Sequence, residues 1–153
     1  MSEPLVFWMG QFAAELPTDR LYSKNHFWAI DQGSGRFRFG FSAYAVRLLQ
    51  DIYFLEFSVE PGMAIESRQE IGSIESKKAE SGLYAPSSGM LEAINPEVLR
   101  DPGAINVDKY GDGWLMELSS VDPQPLLNPQ RYCEHLAEAW EVAQRTIKGQ
   151  ANA

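Results

Sequence analysis

Residues 72–89 have the sequence GSIESKKAESGLYAPSSG, and this stretch decides the fold. An apolar run leads into a short polar tip that holds Lys77 and Lys78, and a second apolar run leaves through Pro86 and Gly89. Short apolar runs on both sides of a polar tip predict a β-hairpin, here one that presents an amine to solvent. From residue types alone, a solvated turn without any further role is the simpler interpretation.

The chain on either side of this hairpin alternates short apolar runs with turn residues, a pattern typical of a β-rich sandwich or barrel. Ser42 is a candidate N-cap for a short helix that starts at Ala43. Farther along, Asn128 is a candidate N-cap and Pro129 a first helical residue, which predicts an amphipathic helix ending near Gly149. The predicted strands span residues 27–30, 36–39, 52–57, 71–74, 90–94 and 114–118, and the apolar helix positions are Tyr132, Leu136, Ala139, Trp140, Ala143 and Ile147.

The size and charge of the chain limit its class. With 153 residues, 44% of them hydrophobic, it is long enough for one core and too short for two ordinary domains. We expect a body over residues 22–127, with residues 1–21 as an N-terminal extension packed on it and residues 128–149 as the C-terminal helix of the same domain. A formal charge of −8 disfavours roles with nucleic acid or anionic membranes.

Two further features indicate a cytoplasmic protein. The apolar residues 5–9 follow no basic residue and are too few to span a bilayer, so they are not expected to act as a signal or anchor. Cys133 is the single cysteine, which excludes an internal disulfide. His26, His135 and Cys133 are potential metal ligands, but a site needs more ligands than this set provides, and we expect no metal.

Several segments resemble the glycine cleavage H-protein family. Residues 75–79, ESKKA, and 84–89, YAPSSG, are similar to the family's E-S-V-K-A and Y-A-P-x-S-G motifs. Residues 40–56 and 105–115 resemble two further family segments, in order and with compatible spacing. The resemblance implies a mainly β fold with a C-terminal α-helix, namely the flattened barrel, or barrel-sandwich hybrid, of lipoyl and biotinyl carriers.

The resemblance also implies a covalent cofactor. The family's valine falls on Lys77 and its modified lysine on Lys78, so lipoic acid is expected on Lys78 through an amide bond. Glu75 matches the acidic residue that lipoate-attaching enzymes read, and Ser76 and Ala79 complete the motif. The expected function is that of a carrier rather than an enzyme, with the lipoyl group acting as a swinging arm between partner enzymes.

The cargo is where the chain departs from the family. The family's His-Glu-Trp reads His26-Phe27-Trp28, and its acidic position four residues after the modified lysine is Gly82. A histidine and a glycine of the short helix region fall on Leu48 and Gln50. A protonated amine held in a cleft needs a counter-charge, so the loss of both carboxylates favours a less cationic cargo.

In these departures the chain is similar to the lipoate-binding proteins of sulfur-oxidising prokaryotes, which are associated with a heterodisulfide-reductase-like complex. We therefore expect it to carry sulfur intermediates. The alternative is the H protein of the glycine cleavage system, which carries an aminomethyl group and works with glycine decarboxylase, aminomethyltransferase and dihydrolipoyl dehydrogenase. A second alternative is an unmodified binding module. Because a swinging arm must reach several partners, we expect a monomer.

Overall fold

A computed structural model describes residues 3–152 of the chain, and side-chain surroundings for residues 3–145. The strands are β1 (Leu5–Met9), β2 (Phe12–Leu16), β3 (Leu21–Tyr22), β4 (Phe27–Gly33), β5 (Arg36–Phe41), β6 (Ile52–Phe57), β7 (Ala64–Ile65), β8 (Glu70–Ser76), β9 (Glu80–Tyr84), β10 (Gly89–Ile94) and β11 (Met116–Ser119). The helices are α1 (Ala43–Leu49), α2 (Pro96–Arg100), α3 (Ala104–Val107) and α4 (Pro129–Asn152).

The strands form a six-stranded sheet of order β3-β4-β5-β11-β10-β7, a three-stranded sheet of order β6-β8-β9, and the separate hairpin β1-β2. The mainly β fold with a C-terminal helix is confirmed, although the sheets remain open rather than closing into a continuous barrel. One buried apolar cluster joins the two larger sheets, because Phe39 of β5 and Leu118 of β11 belong to it together with Ile74 of β8 and Leu83 of β9.

A second buried cluster lies between the N-terminal hairpin, α1 and α4. Leu16 of β2 and Tyr44 of α1 are buried in it together with Leu136 of α4. Tyr22 and Tyr132 stack in the same cluster, with ring centroids 4.5 Å apart and planes 3° apart. Residues 5–16, which the sequence pattern did not resolve into strands, thus bury apolar side chains against both helices.

Helix α4 begins where its capping signal predicts. Asn128 accepts a hydrogen bond from the Arg131 backbone N–H to its Oδ1 at 2.8 Å. The predicted end near Gly149 was wrong, since the helix continues to Asn152. A single glycine costs a helix only about 1 kcal/mol, so Gly149 alone does not end it. The predicted apolar position Ile147 lies outside the residues whose side chains are described.

One other predicted boundary needs correction, and two helices were missed. The strand expected at residues 114–118 is β11, which starts at Met116, because the Trp114 backbone N–H closes a turn by donating to the Gly111 carbonyl at 3.1 Å. Helices α2 and α3 were not predicted. Asn95 caps α2 by accepting from the Glu97 backbone N–H at 3.0 Å. Within the part of the chain that the structure describes, no helix combines the length and hydropathy needed to cross a membrane.

Candidate functional site

The tip of the β8-β9 hairpin is closed by a serine. The Ser76 backbone N–H donates to the Ala79 carbonyl at 2.8 Å. The Ser76 hydroxyl donates to the same carbonyl at 3.3 Å and accepts from the Ala79 backbone N–H at 3.2 Å. Ser76 is itself buried. These bonds give Ser76 and Ala79 a structural reason to flank the two lysines, because they hold the tip in one conformation.

The tip is also tied to the segment between α1 and β6. The Lys77 backbone N–H donates to the Asp51 carbonyl at 2.8 Å, and the Lys78 backbone N–H donates to the Leu49 carbonyl at 3.3 Å. Both lysine side chains are exposed, and neither makes a hydrogen bond or ion pair with a described residue. The backbone of Lys78 is therefore held while its amine stays accessible, and the choice of Lys78 over Lys77 rests on the motif alignment.

Glu75 lies on β8 just before the tip. It is half-buried and stands in register between Phe54 of β6 and Glu80 of β9. Residues directly opposite one another in antiparallel strands share a face of the sheet. Glu75 thus belongs to the outer face of the three-stranded sheet, opposite the face on which Ile74 is buried.

A cleft of about 630 Å³ opens beside the tip. Its lining includes Ala79 from the tip and Leu49, whose carbonyl accepts from Lys78. None of the described residues that line it is Asp or Glu. The apolar lining residues are Phe27, Phe41, Ala45, Leu48, Leu49, Ile74, Ala79 and Leu83, and the others are Asn25, His26, Arg68, Ser81, Gly82 and Tyr84. A mostly apolar wall next to an exposed lysine can shelter a hydrophobic chain attached to that lysine.

His26 lines this cleft and has a backbone φ of 76°. Its Nδ1 is 2.9 Å from the Tyr132 hydroxyl, which is 2.8 Å from the Ser42 hydroxyl. Burial, followed by the nearby His135 and Arg68, lowers the pKa of His26 from 6.5 to about 4. The imidazole is therefore neutral near pH 7. The Arg68 side chain forms no ion pair with any described residue.

The two acidic positions that the sequence lacks have different surroundings. Phe27 is 2% exposed and packs against Phe41, with ring centroids 5.0 Å apart, so it makes part of the cleft wall apolar. A Cβ at Gly82 would instead lie 2.8 Å from a Glu70 oxygen and 2.8 Å from the Tyr84 hydroxyl. Side chains alternate along a strand, so a side chain at position 82 would point away from buried Leu83, yet Gly82 and Tyr84 both line the cleft.

Both acidic positions that the chain lacks, 27 and 82, thus border the cleft. A side chain at position 82 would meet Glu70, so a carboxylate of β8 already lies close to that position. The sequence analysis did not identify Glu70 as a residue of this region. Its position follows from the strand register, which pairs it with Tyr84, and the register cannot be read from the sequence alone. Both departures therefore fall among the residues that line the cleft.

The potential metal ligands do not form a cluster. The rings of His26 and His135 lie 5.8 Å apart, and His135 Nε2 is 2.9 Å from the Lys24 carbonyl oxygen. Cys133 is half-buried, and burial raises the pKa of its thiol. Across the described residues, no three His, Cys, Asp or Glu side chains are placed to share a metal ion.

Comparisons with known proteins converge on one family. A family model described as "Glycine cleavage H-protein" matches residues 20–140. A glycine cleavage system H protein of Rubrobacter xylanophilus is 35% identical over 125 residues, which cover 82% of this chain and 98% of that protein. One from Stenotrophomonas maltophilia (strain R551-3) is 38% identical over 128 residues, covering 82% and 97%.

Solved structures agree with the sequence matches. The crystal structure of a glycine cleavage system H protein from Mycobacterium marinum superposes with a TM-score of 0.70 at 30% identity, covering 80% of this chain and 99% of that one. The residues matched by the family model contain the hairpin, the cleft and the first part of α4, whereas hairpin β1-β2 lies before them.

Proposed function

The chain belongs to the glycine cleavage H-protein family, and from this premise we propose that it is a carrier whose lipoyl group is amide-linked to Lys78. Members of the family carry lipoate on a lysine and are carriers rather than enzymes. The observation that supports Lys78 most is the tip itself, in which the backbone is held by Leu49 and by Ser76 while the amine is exposed.

The residues around Lys78 fit such a group. Amide formation removes the charge of the lysine, so an arm on Lys78 can lie along the apolar cleft wall formed by Leu48, Leu49 and Ala79. Lys77 keeps its charge and stays in solvent. When attached, the lipoyl group supplies a dithiolane that exchanges with thiols and thereby accepts or releases cargo. The chain's own part is to hold the attachment point and to shield the arm from water.

We propose glycine cleavage as the pathway, with an aminomethyl cargo and with glycine decarboxylase, aminomethyltransferase and dihydrolipoyl dehydrogenase as partners. The support is that the relatives described above are glycine cleavage system H proteins and align over 82% of this chain. Glu70 lies beside position 82, so its carboxylate is placed to supply the counter-charge that an acidic residue there would give.

A second candidate follows from the cleft itself. Phe27 replaces an acidic residue in the cleft wall, and Arg68 lines the cleft without a carboxylate partner among the described residues. An apolar cleft with one unpaired cation suits a neutral or anionic cargo better than an ammonium group. This favours sulfur intermediates handed to a heterodisulfide-reductase-like complex, although the relatives reported above do not carry such a description.

The attachment is tested by coexpression with a lipoate-attaching enzyme and intact-mass measurement. We expect one lipoyl group on the wild type and on Lys77→Arg, and none on Lys78→Arg. A modified Lys78→Arg variant would contradict the assignment, and an unmodified wild type would favour the binding-module alternative.

The cargo is tested with the lipoylated protein in a glycine decarboxylation and exchange assay containing glycine cleavage partners. We expect glycine-dependent exchange that Lys78→Arg abolishes. If an H protein of Stenotrophomonas maltophilia supports exchange under the same conditions and this chain does not, the result contradicts an aminomethyl cargo and favours sulfur intermediates. Sulfur-dependent turnover by a heterodisulfide-reductase-like complex, again dependent on Lys78, would then be the result that identifies it.

A further inference from the structure

The outer face of the three-stranded sheet carries exposed aromatic rings among carboxylates, directly beside the lysine tip. We define the aromatic–acidic patch as Tyr53, Phe54, Glu56, Glu75 and Glu80. Phe54, Glu75 and Glu80 form one cross-strand row. Glu56 follows Phe54 by two residues and so lies on the same face.

A β-bulge creates the aromatic part of the patch. Strand β6 pairs Ile52 with Ser76 and Phe54 with Glu75, so Tyr53 is an extra residue without a partner on β8. As a result, Tyr53 is 61% exposed and Phe54 39% exposed, while Ile52 is buried. Bulges that turn side chains outward recur beside functional sites, and large exposed rings are typical anchors of protein interfaces.

The carboxylates of the patch are not held in ion pairs. Glu56, Glu75 and Glu80 form no ion pair with any Lys or Arg in the described part of the chain. The chain as a whole has a formal charge of −8. Aromatic rings surrounded by unpaired carboxylates are complementary to an apolar pocket with basic residues at its rim.

The position of the patch identifies which partner it fits. The Lys77 backbone donates to the Asp51 carbonyl, two residues before Tyr53, so the tip and the start of β6 form one surface. A lipoate-attaching enzyme works at Nζ of Lys78: the amine attacks the carbonyl of lipoyl adenylate, the amide bond forms, AMP leaves and the amine gives up a proton. Such an enzyme must cover the surface next to the tip, because its reaction takes place at the lysine itself.

We propose that the aromatic–acidic patch docks the enzyme that attaches lipoate, through an apolar pocket ringed by basic side chains on that enzyme. This inference rests on the proposed modification of Lys78. It adds Tyr53 and Phe54 as docking residues, since the bulge that exposes them appears only in the strand register.

The test measures initial rates of lipoylation of the full-length apo chain by a purified lipoate-attaching enzyme with lipoate and ATP, read by intact mass. The variants are Tyr53→Ser alone and Tyr53→Ser with Phe54→Ser. Trp8→Ser is the matched control, because Trp8 is an aromatic of 60% exposure on β1, away from the tip. Glu56→Gln with Glu80→Gln tests the charges, and Glu134→Gln with Glu138→Gln on exposed positions of α4 is its control.

We expect the aromatic double variant to lose about tenfold or more in kcat/KM, mainly through KM, as truncation of interface anchors does. The Glu56/Glu80 variant is expected to lose most of the salt dependence of the rate. Both controls should stay within about twofold of wild type.

Two outcomes separate the claims. If the wild type is lipoylated and the aromatic double variant is lipoylated at the same rate, the docking proposal is wrong, and the Lys78 proposal is unaffected. A wild type that is never modified overturns the Lys78 proposal itself. An equal loss in Trp8→Ser also counts against the patch. Should the double variant fail to fold, Tyr53→Ser and the charge variant decide the matter by the same criteria.

Discussion

His26 should make the stability of this protein depend on pH in a defined window. Lowering its pKa from 6.5 to about 4 means that the unfolded chain binds a proton there more readily than the folded chain does. The contribution of His26 to the free energy of unfolding then rises with pH between these two values and is fully present above pH 6.5. At roughly 1.4 kcal/mol per pKa unit, the contribution of His26 lost on acidification to pH 4 is about 3 kcal/mol.

The assay is urea unfolding of wild type and His26→Asn at intervals from pH 4 to pH 7.5. Asparagine tolerates the positive φ at position 26 and has no titratable side chain. Carboxylates that titrate in the same range are common to both proteins, so the difference between the two curves isolates His26. His135→Gln is the control and should keep most of the slope. A difference curve that is flat across the window would refute the burial argument.

Three substitutions test local geometry. Gln50→Gly should raise the midpoint of thermal unfolding by a few degrees. Gln50 has φ of 60° and ψ of −139°, a conformation open mainly to glycine, and this strain costs the folded state roughly 1 kcal/mol or more. An unchanged midpoint would contradict this. Gly72→Ala should cost about 2 kcal/mol or more in urea unfolding, since its Cβ would lie 2.0 Å from the Glu56 carbonyl oxygen; a midpoint equal to wild type would disprove the close approach. Ser76→Ala should lower the free energy of unfolding by about 1–2 kcal/mol and speed amide hydrogen exchange at Ala79, because the Ala79 N–H loses its acceptor. Exchange at the wild-type rate would contradict a stabilising role for this hydrogen bond.

The elements that the sequence predicted well are those with local signals. Ser42 and Asn128 cap helices that begin at the next residue, because a capping side chain satisfies N–H groups within three positions of itself. The hairpin around Lys78 was predicted because its polar tip lies between apolar runs that are contiguous in sequence. Its family motif came from the same short stretch.

Other features depend on strand register and could not be read from the sequence. Glu70 lies close to Gly82 at the cleft, and only the β8-β9 pairing, which sets Glu70 opposite Tyr84, reveals this. The exposure of Tyr53 likewise follows from one unpaired residue on β6. The expectation of a sulfur carrier treated both acidic positions as parts of one cleft, and Phe27 and Gly82 do both line it.

The most direct test of the central claim is peptide mapping by tandem mass spectrometry of the protein purified after coexpression with a lipoate-attaching enzyme. The fragment covering residues 72–89 contains Lys77 and Lys78, and its fragment ions locate the modification on one of them. The account predicts a lipoyl group on Lys78 and an unmodified Lys77. A lipoyl group on Lys77, or on no residue of this hairpin, would contradict it.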